Sequence, residues 1–209
     1  MHNDVKPGVI KALFLDIGGV LLTNGWGHDF RYRAIEKFGL DKKDFEDRHA
    51  LVFDNYEVGK VTFDEYLNWT IFYQQRNFSK QDFSTFIFKQ SEALNGNLDF
   101  FKEVKQKHQL KVFAVSNEGR EINEYRVNKF KLDELFDGYI SSCYVGLHKP
   151  SRDILQMACD VSHTPAANAL YVDDRKLLID VAREFGLQTL HFQSLDQAKE
   201  FISTCTFYK

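Results

Sequence analysis

The stretch Ile10-Lys-Ala-Leu-Phe-Leu-Asp16-Ile-Gly18-Gly19-Val20-Leu-Leu22 decides how the rest of the chain is read. Residues 10–15 form an apolar run of strand length, which ends on the carboxylate of Asp16. Two glycines then let the backbone turn away. Open α/β sheets keep their reactive groups at the carboxyl ends of such strands, so Asp16 is the first candidate for chemistry.

Working outward, further short apolar runs occur at 110–115, 138–141, 169–172 and 187–192, with helical segments between them. Strands alternating with helices predict an α/β fold of the Rossmann-like, doubly wound type with a mostly parallel sheet. The helix after Asp174 carries Leu178, Val181, Ala182 and Phe185 on one face and stops at Gly186. Ser151 caps a helix running to about Asp160.

Nearly a hundred residues separate the first two strands, and this gap reads as helical. One helix spans 29–38 and ends at Gly39, and another starts at Asp41. Thr62-Phe-Asp-Glu65 is a capping box opening a helix to about Gln75. Ser79 starts a fourth, with Phe83, Phe86, Ile87 and Gln90 on one face. The expected division is a core domain of residues 1–22 and 96–209 and a helical insert of 23–95, with Gly25-Trp26-Gly27 and Asn95-Gly96-Asn97 as linkers. The many Phe and Tyr residues of the insert are read as the core of a small bundle.

A formal net charge of −3 offers no overall attraction to nucleic acid or to an anionic membrane. Cys143, Cys159 and Cys205 are odd in number and widely spaced, as expected of reduced thiols. The segment Met1-His-Asn-Asp-Val-Lys-Pro-Gly8 lacks the basic start and apolar stretch of a signal peptide, and no apolar run approaches membrane length. The protein is expected to be cytoplasmic.

Polar groups recur at the later strand ends. Ser116-Asn117 follows the run at 110–115, His148-Lys149-Pro150 precedes the helix at 151, and Asp173-Asp174 follows the run at 169–172. In this order and at these strand ends, the segments resemble the four motifs of the haloacid dehalogenase (HAD) superfamily, in its phosphatase branch. Asp16-Ile-Gly18-Gly19-Val20 matches the first motif except at its second acid, Ser116 matches the Ser/Thr motif, Lys149 the Lys motif and Asp173-Asp174 the acidic motif. The resemblance covers essentially the whole chain and implies that 23–95 is the helical cap that one branch of the family inserts after its first motif.

It also implies a chemistry. Asp16 is the expected nucleophile, attacking phosphorus to give an aspartyl-phosphate that water then hydrolyses. Mg²⁺, a hard ion that prefers oxygen, suits the Asp16 carboxylate, the Gly18 carbonyl and one or both of Asp173 and Asp174, with Asp174 favoured as the direct ligand. Lys149 offsets carboxylate repulsion, and Ser116 and Asn117 complete the phosphate site. The expected substrate is a small phosphorylated metabolite, such as a sugar phosphate.

Gly18 is the departure from the pattern. The second acid of the family protonates the leaving oxygen and later activates water, and a glycine has no side chain to carry a proton. His28 and Asp29 are the replacement candidates, because closure of the insert brings them over the site. Two other readings compete. A metal-free haloacid dehalogenase needs no leaving-group proton, but the retained aspartate pair argues against it. A non-catalytic module binding Mg²⁺ and phosphate is supported by Gly18 alone.

Overall fold

A computed structural model of the chain describes residues 8–208. Residues 1–7, on which most of the reading of the N-terminus rests, lie outside the described residues. The first strand, β1 (Ala12–Leu15), is buried on both faces, which is why it reads as a continuous apolar run. Four helices follow: α1 (His28–Phe38), α2 (Lys42–Glu57), α3 (Phe63–Thr70) and α4 (Lys80–Lys89).

The chain then alternates. α5 (Asn97–His108) leads to β2 (Lys111–Ser116), and α6 (Arg120–Phe130) to β3 (Gly138–Ser141). A short α7 (Ser142–Val145) and α8 (Arg152–Ser162) precede β4 (Ala169–Asp173), and α9 (Lys176–Phe185), β5 (Gln188–His191) and α10 (Leu195–Thr204) complete the fold. The five strands are all parallel in the order β3-β2-β1-β4-β5. Leu15 pairs with Ala114 on one side and Val172 on the other, so β1 lies at the centre of the sheet. Alternation along the strands divides the core in two. Leu13, Leu15, Val112 and Val172 face α5 and α10, whereas Phe14, Phe113 and Tyr171 face α8 and α9. The doubly wound sheet expected from the strand pattern is present.

Helices α1–α4 surround their own aromatic core. Phe83 is buried among Trp26, Phe38, Phe72 and Phe78, with ring centroids 4.8–6.3 Å away. Thr62 and Ser79 both form capping boxes. One helix is shorter than its sequence pattern: α3 ends at Thr70 instead of continuing to about Gln75. The Thr70 hydroxyl donates back to the Tyr66 carbonyl and Arg76 Nε donates to the Ile71 carbonyl at 2.7 Å, capping the end. The chain then folds over so that Phe72 and Phe78 pack together, a burial that a continuing helix would forfeit.

The two crossings between sheet and helices run side by side. Leu22 bridges Ala93, and Thr23 N–H donates to the Glu92 carbonyl at 2.9 Å. Gly25-Trp26-Gly27 is not a free linker, because Trp26 is buried and its indole donates to Tyr66 Oη at 2.8 Å. Asn97 likewise belongs to α5, where its amide donates to the Val20 carbonyl at 2.6 Å. Arg126 of α6, wholly buried, ties both crossings to the sheet side: Nε donates to Ser91 Oγ at 3.1 Å and Nη2 to the Thr23 carbonyl at 2.8 Å.

Candidate active site

Asp16 leaves β1 at its carboxyl end, and the backbone behind it is wound tight. The N–H groups of Leu21 and Leu22 both donate to the Ile17 carbonyl, whereas the Gly18 carbonyl receives no hydrogen bond among the described residues. Gly19 has φ +74°, and a Cβ there would lie 2.1 Å from Asp174 Oδ2. Only a glycine permits this approach of the turn to the acidic loop.

The parallel sheet brings the other predicted groups to the same edge. Lys149 is buried, with Nζ 2.7 Å from Asp173 Oδ2 and 3.1 Å from Asp16 Oδ1. Asn117 borders the same cavity, and its side chain pairs with the backbone of Lys149. Its amide donates to the Lys149 carbonyl at 3.0 Å and its oxygen accepts from the Lys149 N–H at 2.8 Å, so it positions the lysine. Ser116, also buried, lies beside the Asp16 carboxylate and favours its ionised form.

The two aspartates after β4 differ. Asp173 is fully buried and both its oxygens are engaged: Oδ2 by Lys149 and by the Tyr171 hydroxyl at 2.5 Å, Oδ1 by the Arg175 N–H at 2.8 Å. Asp174 Oδ1 is buried and has no partner among the described residues. Asp16, Asp173 and Asp174 each present an oxygen within 4.8 Å of the others. Burial pushes the Asp16 carboxyl up, Asp173 adding to the effect and Lys149 opposing it. Burial followed by Asp173 likewise raises Asp174. For Lys149, burial acts to lower the ammonium, but the carboxylates of Asp16 and Asp173 outweigh it and the net shift is upward.

Three carboxylates against one ammonium, one of them with a buried and unpartnered oxygen, make a donor set suited to a hard divalent cation. Asp174 keeps an unpartnered oxygen, whereas Asp173 holds the lysine.

A cavity of about 350 Å³ opens over this centre. Asp16, Gly18, Ser116 and Lys149 form its floor, and His28, Arg31, His49, Phe53 and Glu57 reach it from the helices. His28 thus borders the cavity, though 61% of its side chain is exposed, and Asp29 is 90% exposed beside it. Four further groups were not singled out from the sequence: Asn24, Arg126, Glu118 and Glu57. Burial lifts the Glu118 and Glu57 carboxyls, each to about 7. No local motif marks these residues, and only the fold brings Asn24, Glu118 and Glu57 to the cavity and sets the buried Arg126 behind Glu118.

A family model described as haloacid dehalogenase-like hydrolase matches residues 51–192. The chain belongs to that family of hydrolases. Among solved structures it resembles a HAD-family enzyme of Bacteroides thetaiotaomicron in its magnesium complex, with 21% identity, a TM-score of 0.79, and coverage of 93% of this chain and 99% of that one. The same enzyme with magnesium and inorganic phosphate superposes with a TM-score of 0.72 at 23% identity, over 89% and 96% of the two chains. An L-2-haloacid dehalogenase also shares the fold, with a TM-score of 0.67 at 18% identity, over 94% and 100%. Among curated proteins, a drimenol cyclase of Aspergillus calidoustus is 24% identical over 196 residues, which are 91% of this chain and 35% of that protein. The chain spans about a third of the length of that curated relative. No helix among the described residues is long and apolar enough to cross a membrane.

Proposed function

We propose that this hydrolase is a Mg²⁺-dependent phosphatase acting on a small phosphorylated metabolite through an aspartyl-phosphate on Asp16. The observation that carries this reading is the unpartnered, buried Asp174 Oδ1 beside Asp16 and Asp173. A dehalogenase needs no cation at this place, and the orphaned oxygen favours the phosphatase over it. The neighbour holding magnesium and inorganic phosphate on the same fold supports the same choice.

Asp16, Asp174 and the Gly18 carbonyl would hold the metal, with Asp173 assisting. The ion would supply charge neutralisation and Lewis-acid polarisation of the phosphoryl oxygens. The remaining work falls to the chain itself. Asp16 attacks phosphorus, and Ser116 and backbone N–H groups beyond the strand ends donate to its oxygens. Lys149, held by Asn117, stabilises their charge in transit. Residues 23–95 act as a cap whose helices bound the 350 Å³ cavity, which restricts substrates to small molecules.

The test is phosphate release from a panel of small phosphate esters with and without Mg²⁺, beside halide release from 2-haloacids without metal. Metal-dependent phosphate release, lost in Asp16→Asn, is the expected result. Halide release in the absence of metal would overturn the reading.

A further inference from the structure

Position 18 has no side chain to move a proton, and the structure shows what stands on that side of the site. A Cβ on Gly18 would lie 2.9 Å from Asn24 Oδ1 and 3.8 Å from Arg126 Nη1. The same Nη1 donates to Glu118 Oε1. The Glu118 carboxylate therefore lies one hydrogen bond beyond the place toward which a side chain at 18 would point. Glu118 lines the cavity together with Asp16 and Gly18. It is 8% exposed, and its second oxygen, Oε2, is buried with no partner among the described residues. A carboxylate oxygen left in that condition is costly unless something in the working site bonds to it.

We propose that Glu118 is the acid and base that completes the reaction of Asp16, from a position remote in sequence from the first motif. The assignment rests on the phosphatase reading above. In the first step an Asp16 oxygen forms a bond to phosphorus while the bond from phosphorus to the ester oxygen breaks. That oxygen takes the proton of the Glu118 carboxyl and leaves as the alcohol. In the second step the Glu118 carboxylate takes a proton from water, and the oxygen of that water bonds to phosphorus. The bond from phosphorus to Asp16 breaks with its electron pair returning to the aspartate, so inorganic phosphate departs and Glu118 is again protonated.

The surroundings suit a group that must both give and take a proton. Burial lifts the Glu118 carboxyl to about 7, with Arg126 drawing it down and Asp16 pushing it up. The titratable and charged groups about it are Arg126 of α6, Asp16 at the end of β1, Lys149 before α8, Glu57 and Tyr56 of α2, and Cys143 of α7. His28 and Asp29, the candidates nearest in sequence, are far more exposed and lack this setting.

The competing role for Glu118 is that of a counter-ion to the Arg126 strut alone. Glu118→Gln separates the two, because the amide oxygen still accepts from Arg126 while the proton carrier is gone. With p-nitrophenyl phosphate and Mg²⁺ the leaving group needs no proton, so the variant phosphorylates Asp16 and then stalls. The expected result is one equivalent of nitrophenolate released rapidly, then turnover slower by ~10²–10⁴-fold, with phosphate on Asp16 seen by mass spectrometry after acid quench. Turnover of the variant at the wild-type rate would overturn the assignment, as would a stalled phosphoenzyme in Glu57→Gln in place of Glu118→Gln. Should the variant not fold, the wild-type profile decides: kcat must fall as pH drops through about 7, and a flat profile refutes it. Absence of Mg²⁺-dependent release by the wild type would instead refute the phosphatase reading, and this assignment with it.

Discussion

Lys149→Met is the sharpest test of the charge arrangement. The substitution keeps the length of the side chain and removes the one ammonium that faces Asp16 and Asp173. At an effective dielectric of ~20, contacts of 2.7 and 3.1 Å correspond to about 6 and about 5 kcal/mol of gross attraction. Much of that is offset by the cost of taking the ammonium out of water. Breaking such a buried arrangement from one side typically costs ~3–5 kcal/mol, because the carboxylates stay behind unpaired. For a chain of this size that is a fall in Tm of about 6–20 °C. The assay is urea unfolding in EDTA at pH 8, repeated at pH 5 and with Mg²⁺. The loss should shrink as the pH falls, because burial already raises the Asp16 carboxyl and the substitution removes the cation that opposes that shift. It should also shrink with Mg²⁺, which replaces the missing positive charge and stabilises the folded state by mass action. A loss below about 1 kcal/mol at pH 8 without metal would refute the reasoning, since it would place the pair among weakly coupled surface ions.

The metal-free protein should be less stable at pH 8 than at pH 5. A carboxyl whose folded value is raised binds its proton more tightly when folded, so its contribution is fully present below the unfolded value of 4.5 and is lost as pH rises through about 7. For Glu118 the difference is on the order of 3 kcal/mol, and Glu118→Gln should flatten the stability profile by roughly that amount; parallel curves from urea titrations would contradict it. Gly19→Ala places a methyl where Asp174 Oδ2 now sits, at a left-handed φ of +74°. Mg²⁺ affinity by calorimetry should then weaken at least ~10-fold, and an unchanged affinity would show that the turn does not hold the acidic loop in place.

The fold subsumes two jobs that Arg126 performs at once. Its guanidinium bonds to both backbone crossings, at Thr23 and beside Ser91, and to Glu118 in the cavity. Gly25, whose Cβ would lie 1.9 Å from Nη2, makes room for it. Both crossings between sheet and helices are thereby tied to the residue assigned the proton transfers.

Local sequence determined most of what can be read one segment at a time. The apolar runs placed all five strands, most plainly β1, β2 and β4, because a strand buried on both faces leaves an unbroken signature. Asp16, Ser116 and the two aspartates were legible as candidates because each sits at a strand end, and parallel pairing turns strand ends into neighbours; Lys149, in the loop before α8, was legible from its place in the motif order. Where α3 stops was not legible, since the edge-to-face packing of Phe72 depends on Phe78, six residues further along, and on Phe83 beyond it. The division of labour between Asp173 and Asp174 was equally hidden. Adjacent carboxylates look alike in a sequence, and only packing gives one of them Lys149 and Tyr171 while leaving the other with an unpartnered oxygen. Glu118 lay further out of reach. Its relation to Gly18 passes through Asn24, from the turn after β1, and Arg126, from α6, side chains separated in sequence by about a hundred residues. Sequence by itself determined the strands, the candidate nucleophile and the absence of a side chain at 18. What stands in that gap was decided by tertiary structure, because desolvation and proximity belong to the assembled site and to no single segment of the chain.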